Sequence, residues 1–454
     1  MPKIRQMSVV LILLSCGISM LSGILLDRGS PSGPANFRAI YYGARCVIGH
    51  SDPYDPGNFL RVYSSQSGQF PTVPQKEQLF LRALTVCVNL PTTLLLVAPL
   101  AMLAWGPSHV IWLLLVGSCV CAAALLAHDL ARELGSERES RLALFLICLM
   151  MANCQVLFIT GNTAGVAVGL CVVAVWCFVR QRLVWVGVLC LAISLVLKPH
   201  DSGLVWLYLL LAGGALRKRS LQTLALAALI AIPAVMWVSG ASPNWSNELR
   251  SNLAATSSHG DISDPGPTSI SRKGSADVII DLQTVVSVFN DAPGFYNPLV
   301  YAICVVLLLL WGFATISGRA TGAGNWYALA GIAAISMLGT YHRPYDAKLL
   351  LLAVPACPIL LARGDLAGKV GVGLTSVAIV VTSDIPLAIL SLLIRKLDLA
   401  AIGPAARFFT LPFTRPAPLA LLATAIFFVV IRWNGSNESL DARSQEERVS
   451  RMTN

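Results

Sequence analysis

The stretch Tyr341-His342-Arg343-Pro344-Tyr345-Asp346-Ala347-Lys348 crowds acid, base and cation into eight positions at the mouth of an apolar segment. Ionisable groups at a span entrance are costly unless they pair or act on something, so this stretch reads as functional rather than as a headgroup belt. His342 and Asp346 are four apart and would share a helical face, which Pro344 makes conditional. Lys198-Pro199-His200 stands at the end of another apolar segment. A lysine with a histidine at headgroup depth suits a lipid-borne phosphate. A snorkelling lysine before a helix-breaking proline explains the same residues equally well.

Two further stretches belong to the same inventory. A helix over 37–48 would stripe Phe37, Ile40, Ala44 and Val47 on one side and set Arg38, Tyr41, Tyr42 and Arg45 on the other. Asn36 would cap it and Gly49 end it, giving an amphipathic helix lying in the membrane interface. Gly161-Asn162-Thr163 makes a tight turn between two apolar runs. Asp277 to Thr284 reads as a surface helix after a Ser/Gly/Pro/Asp-rich mobile loop, Ser242 to Ser275, which carries the sequon Asn244-Trp245-Ser246. No nucleotide-binding or zinc-hydrolase motif occurs. No Cys/His spacing marks a metal cluster, so no metal and no cofactor is expected.

The elements that must hold these residues are membrane helices. Of 454 residues 56% are hydrophobic and 12% charged, and mean hydropathy is +0.70. Apolar runs of about 17–22 residues recur throughout, the length of a bilayer core, and lipid forces them to be helical. The fold class expected is an all-α polytopic membrane protein with about 12 spans: 7–26, 108–127, 142–159, 164–180, 183–197, 201–216, 221–239, 297–316, 325–341, 347–362, 368–383 and 416–432. The segment 90–104, with Pro91 and Pro99, is expected to be re-entrant or surface-lying. Basic residues then fall inside, at Arg132/Arg138/Arg141, Arg180/Arg182, Arg217–Arg219, Arg319, Arg363 and beyond Arg432, with both termini cytoplasmic. The +10 net charge follows this pattern, which argues against a nucleic-acid partner. One domain is expected over 1–433, with extracytoplasmic loops 27–107, 240–296 and 384–415 and a polar tail 434–454. Few charges are expected mid-span, so polar residues collect on the outer face.

In their order, these stretches resemble glycosyltransferase family 87 of the C-type membrane glycosyltransferases, the polyprenyl-phosphate-mannose-dependent group. The resemblance rests on Asn36-Phe37-Arg38 to Tyr42 with Gly49 to Pro53-Tyr54, on Leu90-Pro91 to Pro99-Leu100, on Gly161-Asn162, on Lys198–His200 and on His342–Asp346. It implies a C-type architecture in a bacterial inner membrane. It also implies inverting transfer of a hexose, mannose foremost, from a polyprenyl-phosphate donor to a lipid or glycan acceptor on the extracytoplasmic face. The bilayer itself is then a partner.

On that resemblance Lys198, His200 and Arg343 hold the carrier phosphate, and His342 and Asp346 line the sugar site. Arg38, Tyr42, Asn162 and Tyr345 are further substrate contacts. One departure matters: the family's acidic base falls at Asn36, and an amide cannot take a proton at neutral pH. Asp27, Asp52, Asp55 and His342 are the substitutes within reach in sequence terms. A relative that binds lipid-linked sugar without transferring it is the alternative. A transporter of such lipids would show charges buried mid-membrane and an inverted repeat.

Overall fold

A computed structural model describes residues 2–27, 34–67, 86–269, 279–318, 322–397 and 404–453, and all regular structure among them is helical. In chain order these are α1 (Pro2–Asp27), α2 (Ala35–Ile48), α3 (Pro56–Ser67), α4 (Pro91–Ala101), α5 (Trp105–Glu133), α6 (Glu137–Ala152) and α7 (Gln155–Thr160). Next come α8 (Ala164–Arg180), α9 (Val184–Leu197), α10 (Pro199–Leu211), α11 (Gly214–Ala241), α12 (Trp245–Thr256) and α13 (Gln283–Val286). After these follow α14 (Pro293–Ser317), α15 (Gly322–Ser336), a 3-10 helix (Asp346–Leu352), α16 (Ala356–Ala362), α17 (Leu366–Val381), α18 (Asp384–Lys396), α19 (Pro404–Thr414) and α20 (Pro416–Thr453).

The protein is a multi-pass membrane protein, with fewer full-length spans than the apolar runs predict. Six helical stretches are long and apolar enough to cross: Gln6–Asp27, Trp105–Glu133, Glu137–Thr160, Gly214–Ala241, Pro293–Ser317 and Pro416–Asn434. The pair Leu366–Val381 and Asp384–Ile394, bent by 73°, would make a seventh. The other expected spans are shorter helices, such as α8 and α9, or broken ones. The expected span 347–362 is a 3-10 helix followed by α16, and it is buried along nearly its whole length. Irregular backbone at membrane depth is tolerated only when protein surrounds it, as here. Arg319 lies outside the described residues.

Local chemistry explains the helix ends that matter. Ser136 and Glu139 form a capping box at the start of α6, and the Asp365 side chain accepts the Gly368 N–H at 2.7 Å at the start of α17. Between α9 and α10 the chain breaks at Lys198 (φ −153°, ψ 79°), because Pro199 excludes the residue before it from the helical region.

The α2 region departs from expectation. Its helix begins at Ala35, so Asn36 lies in the first turn and does not cap it. It is no surface helix either, since Tyr41 and Tyr42 are buried along with Phe37 and Val47. The polar side is covered by the C-terminal end of α4, where Arg45 donates to the carbonyls of Ala101 (2.8 Å) and Leu103 (3.0 Å) and Tyr41 donates to Leu103 (2.7 Å). The Ala101 carbonyl is one that a helix end leaves without a partner, so Arg45 caps α4 with its side chain. At 11 residues α4 is about 16 Å long, too short to cross.

The second long loop is likewise more ordered than its composition predicts. Within 242–269 it forms α12 and a set of turns, and 270–275 lie outside the described residues. The expected surface helix at 277–284 is instead a buried segment leading to the four-residue α13, with 277 and 278 outside the description. Its backbone pairs with the chain before the 3-10 helix: Ile280 N–H donates to His342 O at 2.9 Å and Leu282 N–H to Leu338 O at 3.0 Å.

Candidate functional site

Two distant stretches converge at the Lys198 break. Pro344 keeps the chain ahead of it non-helical, and the turn that follows is closed from both sides: Asp346 Oδ2 accepts the Arg343 N–H at 2.8 Å, and the Asp346 N–H donates to Arg343 O at 2.9 Å. Asp346 Oδ1 thereby reaches the Lys198 ammonium in a close ion pair. Asp201, in the first turn of α10, lies 3.4 Å from the same ammonium through Oδ2. Its other oxygen, Oδ1, faces two imidazoles, 3.6 Å from His342 Nε2 and 3.7 Å from His200 Nε2. The two rings meet edge to face with centroids 5.0 Å apart.

Burial makes this cluster consequential. Side-chain exposure is 1% for Asp201, Asp346 and His342, 12% for Lys198 and 37% for His200. Burial alone would lower the Lys198 ammonium. The Asp201 and Asp346 carboxylates outweigh it and hold the group above the ordinary lysine range. Burial, reinforced by the Lys198 charge, pushes His200 well below the usual imidazole value. Burial likewise lowers His342. Both rings are therefore neutral at neutral pH. His342 Nδ1 lies 2.7 Å from the Thr340 carbonyl, which makes Nδ1 the protonated nitrogen and leaves the lone pair on Nε2.

The sequence-predicted residues divide between this cluster and others. Lys198, His200, His342 and Asp346 come together, and Tyr345 presents its ring 5.1 Å from the Lys198 ammonium. Arg343 is engaged otherwise, donating to Ile262 O at 2.9 Å and to the Tyr341 hydroxyl.

A second group lies around the N-terminus of α2. Gly161, in the left-handed conformation at φ +60°, brings its backbone so close to Phe37 that a Cβ would sit 2.8 Å from that residue's own Cβ. Asn162 accepts the Ala164 N–H at 2.8 Å and starts α8. Half-buried Asn36 is thus beside the Gly161–Asn162 turn. The end of α1 packs there too, through Gly23 against Phe158 and Gln155. It carries Asp27, which feels the charge of Arg38 and has one buried oxygen, Oδ1, without a hydrogen-bond partner.

Arg38 lies over the Trp105 ring at 5.2 Å and donates to Tyr63, while Tyr42 packs edge-on against Tyr63. Asp52 and Asp55 each give an oxygen to a turn, accepting from Tyr54 N at 2.8 Å and Gly57 N at 2.9 Å.

The scaffold links the groups. Thr92 and Thr93, opening α4, donate to the last carbonyls of α9 at Val196 and Leu197, so the helix capped by α2 rests against the Lys198 break. Cys171, about two turns into α8, is within electrostatic reach of Asp201, so α8 runs from the Asn162 turn past the charged cluster.

Sequence reading missed Asp201, which it took as the first residue of a span. Its sign was the acidic residue directly after Lys-Pro-His, placed where a helix N-terminus favours negative charge. It also missed Asp384, which accepts the Val156 N–H at 2.7 Å, and gave no role to Lys348 at the end of its stretch, which donates to Asn153 O at 3.2 Å. Charges are therefore buried within the helical body after all, Asp201, Asp346 and Asp384 at helix starts and Arg432 along α20. At the far ends of α5 and α8 a cavity of about 690 Å³ is lined by His128, Arg132, Trp176 and Arg180 among others, away from the cluster.

Residues 88–340 match the model of glycosyltransferase family 87. The match takes in the α4 segment, the Gly161–Asn162 turn and Lys198–His200, and it ends just before His342, while the Asn36 stretch precedes it. No curated protein and no solved structure matches the chain. Over half its length the chain carries the family's pattern, and within that stretch lie the break at Lys198 and the carboxylate beside it: this protein belongs to glycosyltransferase family 87.

Proposed function

We propose that the protein transfers a hexose, mannose first among the candidates, from a polyprenyl-phosphate carrier to a lipid or glycan acceptor on the extracytoplasmic face of a bacterial inner membrane. Family membership supports glycosyl transfer. The observation that carries the rest is the buried Lys198–Asp201–Asp346 cluster with neutral His342 and half-exposed His200 at its edge. A phosphate arriving at His200 finds the Lys198 ammonium behind it, and His342 and Asp346 flank the sugar.

In an inverting step the acceptor hydroxyl oxygen attacks the anomeric carbon. The carbon–oxygen bond to phosphate breaks with its electron pair staying on the carrier, and the hydroxyl proton goes to a base. We assign that base to Asp27. Its oxygen is unpartnered and feels the charge of Arg38, whereas Asp52 and Asp55 each give an oxygen to a turn.

The Asn36 amide favours one other reading, a binder of lipid-linked sugar that does not transfer it. Buried charges were the mark expected of a transporter; the family match favours transfer.

The test is transfer from labelled polyprenyl-phosphate hexose by the purified protein in lipid. Turnover by the native chain, lost in Asp27→Asn, upholds the enzyme and its base. A native chain silent with a panel of acceptors and an active Asn36→Asp chain would establish the binder instead.

A further inference from the structure

The Lys198 ammonium is already engaged by two carboxyl groups of the cluster. Two buried carboxyl groups, Asp201 and Asp346, stand around the single Lys198 ammonium, beside the His200 and His342 rings. Lys198 already serves both carboxylates, and Arg343 is bonded to Tyr341 and Ile262.

Three candidate ligand atoms nevertheless converge. Asp201 Oδ1 and His342 Nε2 are buried and have no hydrogen-bond partner, and His200 Nε2 completes the set; all lie within 4.8 Å of one another. The separations of 3.6 and 3.7 Å from Asp201 Oδ1 are close to the roughly 3.4 Å between ligand atoms around a tetrahedral ion bound at about 2.0–2.1 Å. The Thr340 carbonyl on His342 Nδ1 is the outer-shell partner that metal-binding histidines use to turn the other nitrogen's lone pair toward an ion.

We propose that His200, Asp201 and His342 bind a divalent transition-metal ion. Two imidazoles and one carboxylate favour zinc or its neighbours over magnesium or calcium. Three protein ligands leave a position open, the pattern of catalytic rather than structural sites. His200, at 37% exposure, is the side from which the ion and its fourth ligand enter.

Resting on the transfer reading above, the open position takes an oxygen of the carrier phosphate and stabilises it as the leaving group. The spacing of these residues along the chain hid the site, since the second histidine comes from a separate part of the fold.

His259, Asp264 and Asp291 form a comparable triad, but both Asp264 oxygens already accept backbone N–H groups, from Gly260 and Gly266. It holds a turn and carries no such inference.

The test uses the full chain without a polyhistidine tag, purified in nanodiscs, stripped with chelator and titrated with Co²⁺. One equivalent binding with visible d–d absorption is expected, with binding weakened roughly tenfold or more in His200→Ala and Asp201→Asn. His200 is half-exposed and its removal leaves the fold intact, which an unchanged melting temperature verifies. No d–d band, or a band unaltered in a folded His200→Ala chain, overturns the proposal. Because the readout is binding, the two readings separate: metal bound with no sugar transfer upholds this site and rejects the enzyme. Transfer persisting in a chelator-stripped chain that takes up no Co²⁺ upholds the enzyme and rejects the metal.

Discussion

The lysine at 198 holds two buried carboxylates in place, and that sets what its loss would do. In Lys198→Ala, Asp201 and Asp346 would face each other across a low-dielectric site with nothing between them. Removing one partner of a buried pair costs about 3–5 kcal/mol, so a marked fall in melting temperature is expected along with loss of transfer. The double variant Lys198→Ala/Asp346→Ala should recover part of that stability while remaining inactive, which thermal unfolding and a transfer assay would resolve. Gly161 offers a second check. Alanine there must adopt φ +60° and set its Cβ 2.8 Å from that of Phe37, so Gly161→Ala should destabilise the chain by about 1–2 kcal/mol or more and displace Asn36. Much of this site was legible beforehand, because lysine, proline and histidine at a span end are conspicuous among apolar neighbours. Asp201 was not, since one carboxylate at the start of an apolar run looks like the span's boundary until His342 and Lys198 are seen around it.

Helix breaks do the positioning. Pro199 and Pro344 each forbid helix at the residue before them, and the two interrupted segments meet at those points. Their mutual distance is transmitted by α4, whose Thr92 and Thr93 hydroxyls hold the last carbonyls of α9. Thr92→Val/Thr93→Val should cost about 1 kcal/mol per hydroxyl and reduce transfer more than stability, an outcome visible as a lower kcat at near-native melting temperature. The α2 helix teaches why its surroundings were misjudged from sequence. A helix was expected there, but periodicity shows only that a polar side exists. It does not reveal that a neighbouring helix end, α4, needs those arginine and tyrosine donors. The same limit applied to the 3-10 helix at Asp346–Leu352, where an unbroken apolar run concealed a turn that protein burial permits.

Across the whole molecule, apolar runs located the long helices but not α3, α12, α18 and α19, which lie in the expected loops, and they overcounted the spans, because α8, α9, α10 and α15 are apolar through burial in protein as much as through contact with lipid. By contrast α11 exposes Leu229, Ile232 and Met236 on a face suited to acyl chains. The proposed sidedness is testable at this scale. The native cysteines are buried or half-buried, so maleimide background should be low. A membrane-impermeant maleimide should label Ser258→Cys in intact cells and Arg182→Cys only after permeabilisation; the reverse pattern would put the cluster on the cytoplasmic side.

The ion pair between Lys198 and Asp346 joins residues 148 positions apart. At roughly 5–20 residues per second, synthesis leaves about 7–30 s between them. During that interval α9 and α10 must enter the membrane with the lysine already made and its later partner absent. Asp201, three positions on and 3.4 Å away, is the only one of the two carboxylates available then. It would be the lysine's carboxyl neighbour within the nascent hairpin until the segment carrying Asp346 has left the ribosome.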